Sequence, residues 1–562
     1  MTTETSREEL PQDEVTSDRV PRDRRDARTD RSRFRVAAGI ALTVVSVAAI
    51  WVALAVPAGL PQFSPQAFIR LPLVAIAVAA IMTALPYRWA RRLAVLAGLA
   101  TGALLLLKIL DIVFIYVLGA PFNPRTDWSE ILSGLAVLRD AVGGAKSVLI
   151  VSATVVVLLL IFAGLVLAGR RIARATTTRR AIARPLIAAL TAIWLIFAVA
   201  GVHSGGGPVA TIGGARLSQL QNHPLNLGSD PWSTTPANQL LTRLHGHDVL
   251  LVFVESYGRV AVQQSSAAPG VAPAVDRDLD IQTKALASAG YYARTGFLTS
   301  PTFGGLSWHA HSTLQAGVWV NSQAGYYQLL SSRRTTLSSA FARAGWRSVG
   351  VQPANTAAWP QGEAFYHWSA LYDNRTLGYV GPAFGFGKVP DEYTLKRFGQ
   401  LALRQPHKPV MAEIDLVTSH GPWATLPKIV PWSHVNDLSI YPPMTKGSLP
   451  ADKLWEHPTQ GKQAYATSII YSINSLVDLL HHIDDPNMVV VMLGDHQPAA
   501  AVSGQDASHD VPISIISDDP AVMRPIAGWN WTAGLRPDPE APVWPMSAFR
   551  NKFLSAYSPT RH

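Results

Sequence analysis

Apolar residues follow two regimes along this chain, and the change falls near residue 203. Before it, five windows are apolar almost throughout: Val36–Leu60, Phe68–Tyr87, Leu93–Leu118, Val148–Leu167 and Pro185–Val202. A helix needs about 20 such residues to cross a bilayer, so a block of five transmembrane helices is predicted. After residue 203 no such window recurs, and short apolar runs alternate with amphipathic stretches. Strands are predicted at Val249–Val254, Tyr291–Phe297, Arg347–Val351, Val410–Leu416, Met488–Leu493 and Val511–Ile516. Helices are predicted near Leu279–Ala289, Trp308–Ala316, Leu337–Ala344, Asp391–Arg404, Gln463–Ile483 and Met546–Tyr557. Strand–helix alternation implies an α/β domain with a mainly parallel central sheet and helices on both faces. Trp128–Val142 has the pattern of an amphipathic helix lying in a membrane interface.

These patterns divide the chain into a polar tail at 1–34, a transmembrane block at 35–203, a linker at 204–245 and an α/β domain at 246–562. The tail is densely charged and expected to be disordered, and the linker is rich in Gly, Pro, Ser and Asn. Charge then orients the block. Nine Arg precede residue 36, three lie in Tyr87–Arg92 and six in Gly169–Arg184, whereas Pro61–Ala67 carries no charge. Basic segments at the N-terminus and in alternate loops put the N-terminus in the cytoplasm, and five spans then put the α/β domain outside the cell. The net charge of +10 has the same origin: residues 1–203 hold 23 Lys/Arg against 13 Asp/Glu, and residues 204–562 hold 25 of each. The excess therefore belongs with topology and anionic headgroups, and nucleic acid is not an expected partner. The chain has no Cys, which excludes disulfides and thiolate metal sites and suits a bacterial surface. Lys108 and Asp111 lie three apart within the third window, as an internal ion pair or a functional polar site.

Candidate chemistry gathers at strand ends. Asn487–Leu493 runs into Gly494-Asp495-His496, a turn that places a carboxylate and an imidazole at a sheet edge, where α/β folds bind ligands. Asp with His is a donor pair suited to a divalent cation. A second such strand, Asp248–Val254, ends in Glu255. Between them Gly304-Gly305-Leu306-Ser307 opens a helix, where free N–H groups favour an anion. Ser307 is there either an N-cap or, beside a cation, a nucleophile. His420, in Asp415–Trp423, is positioned to bind a substrate oxygen or protonate a leaving group, or else is a buried structural histidine. His311 lies one turn beyond Ser307, for phosphate contact or for packing. Trp308 and Trp423 are candidates to line a lipid or glycan site.

In this order, strand-Glu, glycine-helix hydroxyl, Ser-His-x-Pro and Gly-Asp-His resemble the alkaline phosphatase/sulfatase superfamily. Five spans ahead of such a domain resemble its lipoteichoic acid synthase and phosphoglycerol transferase branch. The resemblance implies that Glu255, Ser307, Asp495 and His496 hold one divalent ion, Mn²⁺ or Mg²⁺ with Ca²⁺ as an alternative, and that His420 touches substrate. It also implies a metal-dependent phosphotransferase moving a phosphoglycerol-type group from a membrane phospholipid to an envelope glycan or glycolipid. Two departures stand out. That branch is expected to use threonine, whereas Ser307…Leu314…Gly317 gives the sulfatase spacing here, with Thr302 the alternative. The formylglycine of sulfatases needs Cys/Ser-x-Pro-x-Arg, and His309 and His311 replace the Pro and Arg. A hydrolase of the same fold, sulfatase or phosphodiesterase, is the nearest rival. A non-catalytic envelope-assembly protein is the rival from another class.

Overall fold

The computed structural model describes residues 22–57, 68, 71–118, 120–199, 225–404, 407–483, 485 and 487–559. The predicted loop 61–67, the tail before residue 22 and the first part of the linker lie outside these. The chain divides into two compact units, one holding most of the apolar helices and one holding the sheet.

The first unit contains helices α1 (Arg22–Ala55), α2 (Leu73–Ala84), the start of α3 (Tyr87–Leu118), the later part of α5 (Gly144–Thr178) and α6 (Arg180–Val199). Among the described residues four helices are long and apolar enough to cross a membrane, namely α1 from Phe34, α3, α5 and α6. The second predicted span is corrected: α2 has 12 residues, which at 1.5 Å per residue reach only about 18 Å. Its window includes Pro72 and Pro86 at the flanks, and neither can continue a helix through its own N–H. Inside the unit α3 and α5 approach closely through small residues. A Cβ on Gly98 would lie 2.8 Å from the Val166 backbone, and one on Gly169 2.7 Å from the Ala94 carbonyl. Such contacts are how helices associate where lipid removes the hydrophobic drive. The expected disordered tail is also corrected in part, since α1 begins at Arg22.

The second unit is a nine-stranded sheet in the order β4-β3-β5-β1-β6-β7-β2-β8, with β9 on β2. Its strands are β1 (Asp248–Val254), β2 (Tyr292–Thr299), β3 (Arg347–Gln352), β4 (Ala370–Asp373), β5 (Val410–Leu416), β6 (Met488–Gly494), β7 (Asp510–Ser517), β8 (Thr532–Ala533) and β9 (Val543–Pro545). All six predicted strands are present. The short strands β4, β8 and β9 carry too few residues for a period to show. The run β4-β3-β5-β1-β6 is parallel and β7 joins β6 antiparallel, so the sheet is mixed but mostly parallel. Central β1 is buried along its whole length, which explains its unbroken apolar run.

Alternate residues of the strands feed two cores. Leu250, Val252, Val254, Ile414 and Met492 pack on one face, and Val249, Leu251, Phe253, Met411 and Leu493 on the other. The first face is covered by helices α7 (Val271–Ser288), α10 (Asp391–Ala402) and α11 (Pro458–His482). The second is covered by α8 (Ser307–Ala316), α9 (Leu337–Arg343) and α12 (Met546–Tyr557). Helix α9 opens on a Thr336–Ser339 capping box, which satisfies two otherwise free N–H groups. The linker boundary at 245 is corrected: Trp232, Leu240, Leu241 and Leu244 are buried in the second core, so the fold begins earlier. The Gly/Pro richness of that stretch conceals four apolar anchors.

Trp128–Val142, predicted to be helical, is helix α4. It falls in the second unit together with the C-terminal end of α3, where Lys108 and Asp111 are both buried. There Val117 and Leu118 abut the Gly304–Gly305 loop. A Cβ on Gly304, which already has φ +70°, would sit 1.9 Å from the Val117 carbonyl oxygen.

Candidate active site

Register brings the first residues together. Val254 pairs with Gly494 across β1 and β6, so Glu255 and Asp495 leave the sheet side by side. Gly494 makes this approach possible: a Cβ there would lie 1.9 Å from the Tyr257 carbonyl oxygen. Ser256 then turns the chain with φ +57°, and Leu306 does the same with φ +62° just before Ser307. Left-handed backbone at a non-glycine residue costs on the order of 1–3 kcal/mol, and both instances flank a site residue.

Ser307 is the first helical residue of α8, with Leu306 as the cap. Its side chain does not cap the helix. Ser307 Oγ donates to Glu255 Oε2 at 3.0 Å and lies 3.1 Å from His496 Nε2. His496 Nε2 is also 3.4 Å from Glu255 Oε1 and 3.3 Å from Asp495 Oδ2. On the other side of the ring, His496 Nδ1 lies 2.8 Å from the Gln497 carbonyl. A proton on Nδ1 suits that bond and leaves the Nε2 lone pair facing the cluster, the arrangement of a metal-binding histidine. Asp495 Oδ1 accepts from the backbone N–H groups of Ser256 and His496 at 2.8 and 2.7 Å. Its other oxygen, Oδ2, is buried with no hydrogen bond.

The charges are unbalanced in a way that fits a cation. Burial works against the Glu255 charge, but the His496 and His420 rings and the Ser256 hydroxyl hold that carboxyl down to about 2. Burial and then the neighbouring Glu255 carboxylate push Asp495 up to about 6. Two buried carboxylates, one orphaned oxygen and one open imidazole nitrogen in van der Waals range form a hard-to-borderline donor set. Glu255, Asp495 and His496 have ligand atoms within 4.8 Å of one another, and Ser307 Oγ completes four donors. A divalent ion therefore fits these residues.

His420 stands nearby as a half-buried ring stacked on Phe386, with centroids 4.2 Å apart, and its Nδ1 is 2.7 Å from the Gly421 carbonyl. That contact leaves Nε2 for a substrate. Thr302 does not join the cluster: its Oγ1 donates to the Gly305 carbonyl within its own loop. Trp423 is a correction. It is 6% exposed, donates from Nε1 to the Ser419 carbonyl at 2.6 Å and packs edge-on against Tyr465, so it belongs to the core instead of lining a substrate surface. Trp308 is half-buried, with Nε1 donating to Gln323. His311 turns toward the sheet. Its Nδ1 is 3.2 Å from Glu413 and 3.5 Å from Asp415, and its ring stacks on Phe253.

Sequence reasoning missed the residues that hold the cluster in place. Ser419 Oγ donates to the Glu255 carbonyl and Ser300 Oγ to the Asp495 carbonyl, each at 2.6 Å, and Tyr465 donates to the Ser256 carbonyl at 2.8 Å. Only Ser419, adjacent to His420, carried a signal in the chain.

Comparisons with known proteins follow this geometry. The Sulfatase family model matches residues 247–520. Among solved structures, the lipoteichoic acid synthase LtaP from Listeria monocytogenes is 14% identical with a TM-score of 0.33, over 49% of this chain and 66% of that one, just under two thirds of its length. The integral membrane lipooligosaccharide phosphoethanolamine transferase A (EptA) from Neisseria meningitidis is 13% identical with a TM-score of 0.47, over 88% of this chain and 87% of that one. The Streptococcus pyogenes phosphoglycerol transferase GacH, in complex with sn-glycerol-1-phosphate, is 12% identical with a TM-score of 0.34, over 58% and 88%. A search of curated proteins finds no match. Glu255, Ser307, His420, Asp495 and His496 all fall inside the matched region, so it is the part of the chain similar to the Sulfatase family that carries the candidate site.

Proposed function

We propose that this protein is a membrane-anchored, metal-dependent phosphotransferase that moves a phosphoglycerol-type or related phosphoryl ester from a phospholipid to an envelope glycan or glycolipid. The observation that carries this reading is the position of Ser307 Oγ, 3.0 Å from Glu255 and 3.1 Å from His496 at the start of a helix. An unmodified hydroxyl there suits a covalent phosphoryl intermediate. Glu255, Ser307, Asp495 and His496 would hold one ion, Mn²⁺ or Mg²⁺ with Ca²⁺ as an alternative. When bound, that ion supplies Lewis-acid stabilisation of charge on phosphoryl oxygen and lowers the hydroxyl's pKa.

The residues themselves supply the rest. Free N–H groups at the start of α8 orient the anionic phosphodiester. Ser307 Oγ attacks phosphorus as its proton passes toward Glu255 Oε2. The bond from phosphorus to the diacylglycerol oxygen breaks, and His420 Nε2 delivers a proton to that oxygen. An acceptor hydroxyl then attacks the phosphoserine and gives its proton to His420, while the bond from phosphorus to Ser307 Oγ breaks and Ser307 takes its own proton back from Glu255. The membrane helices keep this chemistry beside its lipid donor. With basic segments inside, the N-terminus is cytoplasmic, and α2, as a short fifth crossing besides the four long helices, puts the α/β domain outside the cell.

The test is incubation of the full chain with headgroup-labelled phospholipids, followed by mass spectrometry of the Ser307 peptide and detection of diacylglycerol. A phosphorylated Ser307 with diacylglycerol release is expected. Formylglycine at Ser307 would favour a sulfatase instead. Release of free headgroup regardless of acceptor would favour a phosphodiesterase. An unmodified Ser307 together with an unchanged envelope in the Ser307→Ala strain would favour the non-catalytic alternative.

A further inference from the structure

A second cluster of metal-type donors lies beneath helix α8. Glu413 and Asp415 are two apart on β5, so both point to the same face of the sheet, the face on which α8 packs. His311 descends between them from α8. Its ligand atom and those of Glu413 and Asp415 lie within 4.8 Å of one another. We propose that His311, Glu413 and Asp415 form a second divalent-cation site, one helical turn from the Ser307 site.

Three observations point to a ligand there. The first is orphaned acceptors. Glu413 Oε1 and Asp415 Oδ1 are buried and make no hydrogen bond, and the Glu413 side chain is 1% exposed. One Nδ1–H, at 3.2 and 3.5 Å, would otherwise have to serve both oxygens, and a single proton cannot satisfy two acceptors well. Leaving a buried carboxylate oxygen unpaired is costly, and a cation facing all three groups removes that cost.

The second is support from outside the cluster. Gln315, one turn after His311, donates through Nε2 to Glu413 Oε2 and to Ser338 Oγ, and accepts from the Ser338 N–H at 3.0 Å. Glu413 is thereby fixed with Oε1 turned toward His311. Phe253 stacks on the His311 ring with centroids 3.8 Å apart and 11° between planes. Partners that orient a ligand's far side are characteristic of metal sites.

The third is charge. Two carboxylates against one imidazolium leave a net negative charge in a buried place. A neutral imidazole with a divalent ion balances it. One nitrogen and carboxylate oxygens, without thiolate, suit Zn²⁺ or Mn²⁺. Ser307 and His311 are four residues apart on α8, so the two sites are about 6 Å apart along the helix. An ion at the second site would fix the sheet side of α8 and hold the nucleophile from below.

Metal content of the purified full chain, equilibrated with ZnCl₂ or MnCl₂ and dialysed, decides the matter. Two ions per chain are expected, falling to one in His311→Gln and in Asp415→Asn, to one in Asp495→Asn, and to none in Asp415→Asn with Asp495→Asn. Thermal unfolding identifies variants that fail to fold, and the half-buried Asp415 is the milder change. One ion in the wild type, lost with Asp495→Asn and kept in His311→Gln and Asp415→Asn, overturns this proposal and leaves the Ser307 site intact. One ion lost with Asp415→Asn alone overturns the Ser307 site and leaves this one. Two ions kept in both His311→Gln and Asp415→Asn also overturn it, with His311 then an internal ion-pair partner only.

Discussion

Ser307 Oγ faces two acceptors, a carboxylate oxygen that takes its proton and an imidazole nitrogen whose lone pair a bound cation would engage. Glu255 stays ionised at 3.0 Å, while the His496 nitrogen facing the hydroxyl is the unprotonated one if Nδ1–H serves the Gln497 carbonyl. Ser307→Ala is expected to lower turnover of a labelled phospholipid by about 10³-fold or more, whereas Thr302→Ala leaves it within about threefold. Equal losses in the two variants would remove Ser307 from its role. A second residue-level expectation concerns Glu392 on α10. Burial, then the nearby Asp478, outweigh the Val430 N–H and Lys396 and push its carboxyl up to about 8. A raised carboxyl pKa contributes stability that is complete below about 4.5 and is lost as pH rises through about 8. Wild type should therefore lose, on the order of 2 kcal/mol, against Glu392→Gln between pH 5 and pH 8.5 in thermal unfolding. A gap that does not change with pH would contradict it. Glu255, Ser307, Asp495 and His496 were legible in the chain because each ends or starts an element. Glu413 was not, since in Val-Met-Ala-Glu-Ile-Asp-Leu it looks like a solvent-facing position of an alternating strand. Only the helix folded over that face makes it buried.

At the scale of elements, two parallel strands ending in register define the centre, and glycine sets how near they come. Gly494→Ala would drive a methyl group into the Tyr257 carbonyl. Overpacking against backbone typically costs about 1–3 kcal/mol, and the strand end has to move to relieve it. The variant should unfold earlier and bind Mn²⁺ at least tenfold more weakly by calorimetry; unchanged affinity would mean that the Asp495 turn tolerates displacement. The strands and long helices were legible from their periods. The second transmembrane window was not, because apolar composition persists across Pro72 and Pro86 while the helix does not. Trp423 was misplaced for a related reason. Its position next to His420 and Pro422 suggested a binding surface, but its own φ of +60° turns the ring back under the sheet.

On the whole-molecule scale, the charge imbalance confined to residues 1–203 and the lack of cysteine make topology simple to measure. Lys446→Cys, in an exposed turn, should react with a membrane-impermeant maleimide on intact cells, and failure to label until lysis would reverse the assigned orientation. Removing metal with a chelator should lower the melting temperature by several degrees, with recovery on adding Mn²⁺ or Zn²⁺, since a ligand bound only by the folded state stabilises it by mass action. The placing of apolar helices ahead of an α/β fold was legible in the chain, but the division into compact units was not: the C-terminal end of α3 and all of α4 cluster with the sheet. The Val117 carbonyl leaves no room for a side chain at Gly304, three residues before Ser307. The loop that aims the nucleophile is thus braced by a helix some 190 residues earlier in the chain. A water-soluble fragment that begins at residue 225 would keep its sheet, its cores and its metal donors, yet lose that brace. It should fold and bind metal normally while turning over a water-soluble phosphodiester more slowly than the intact chain in detergent.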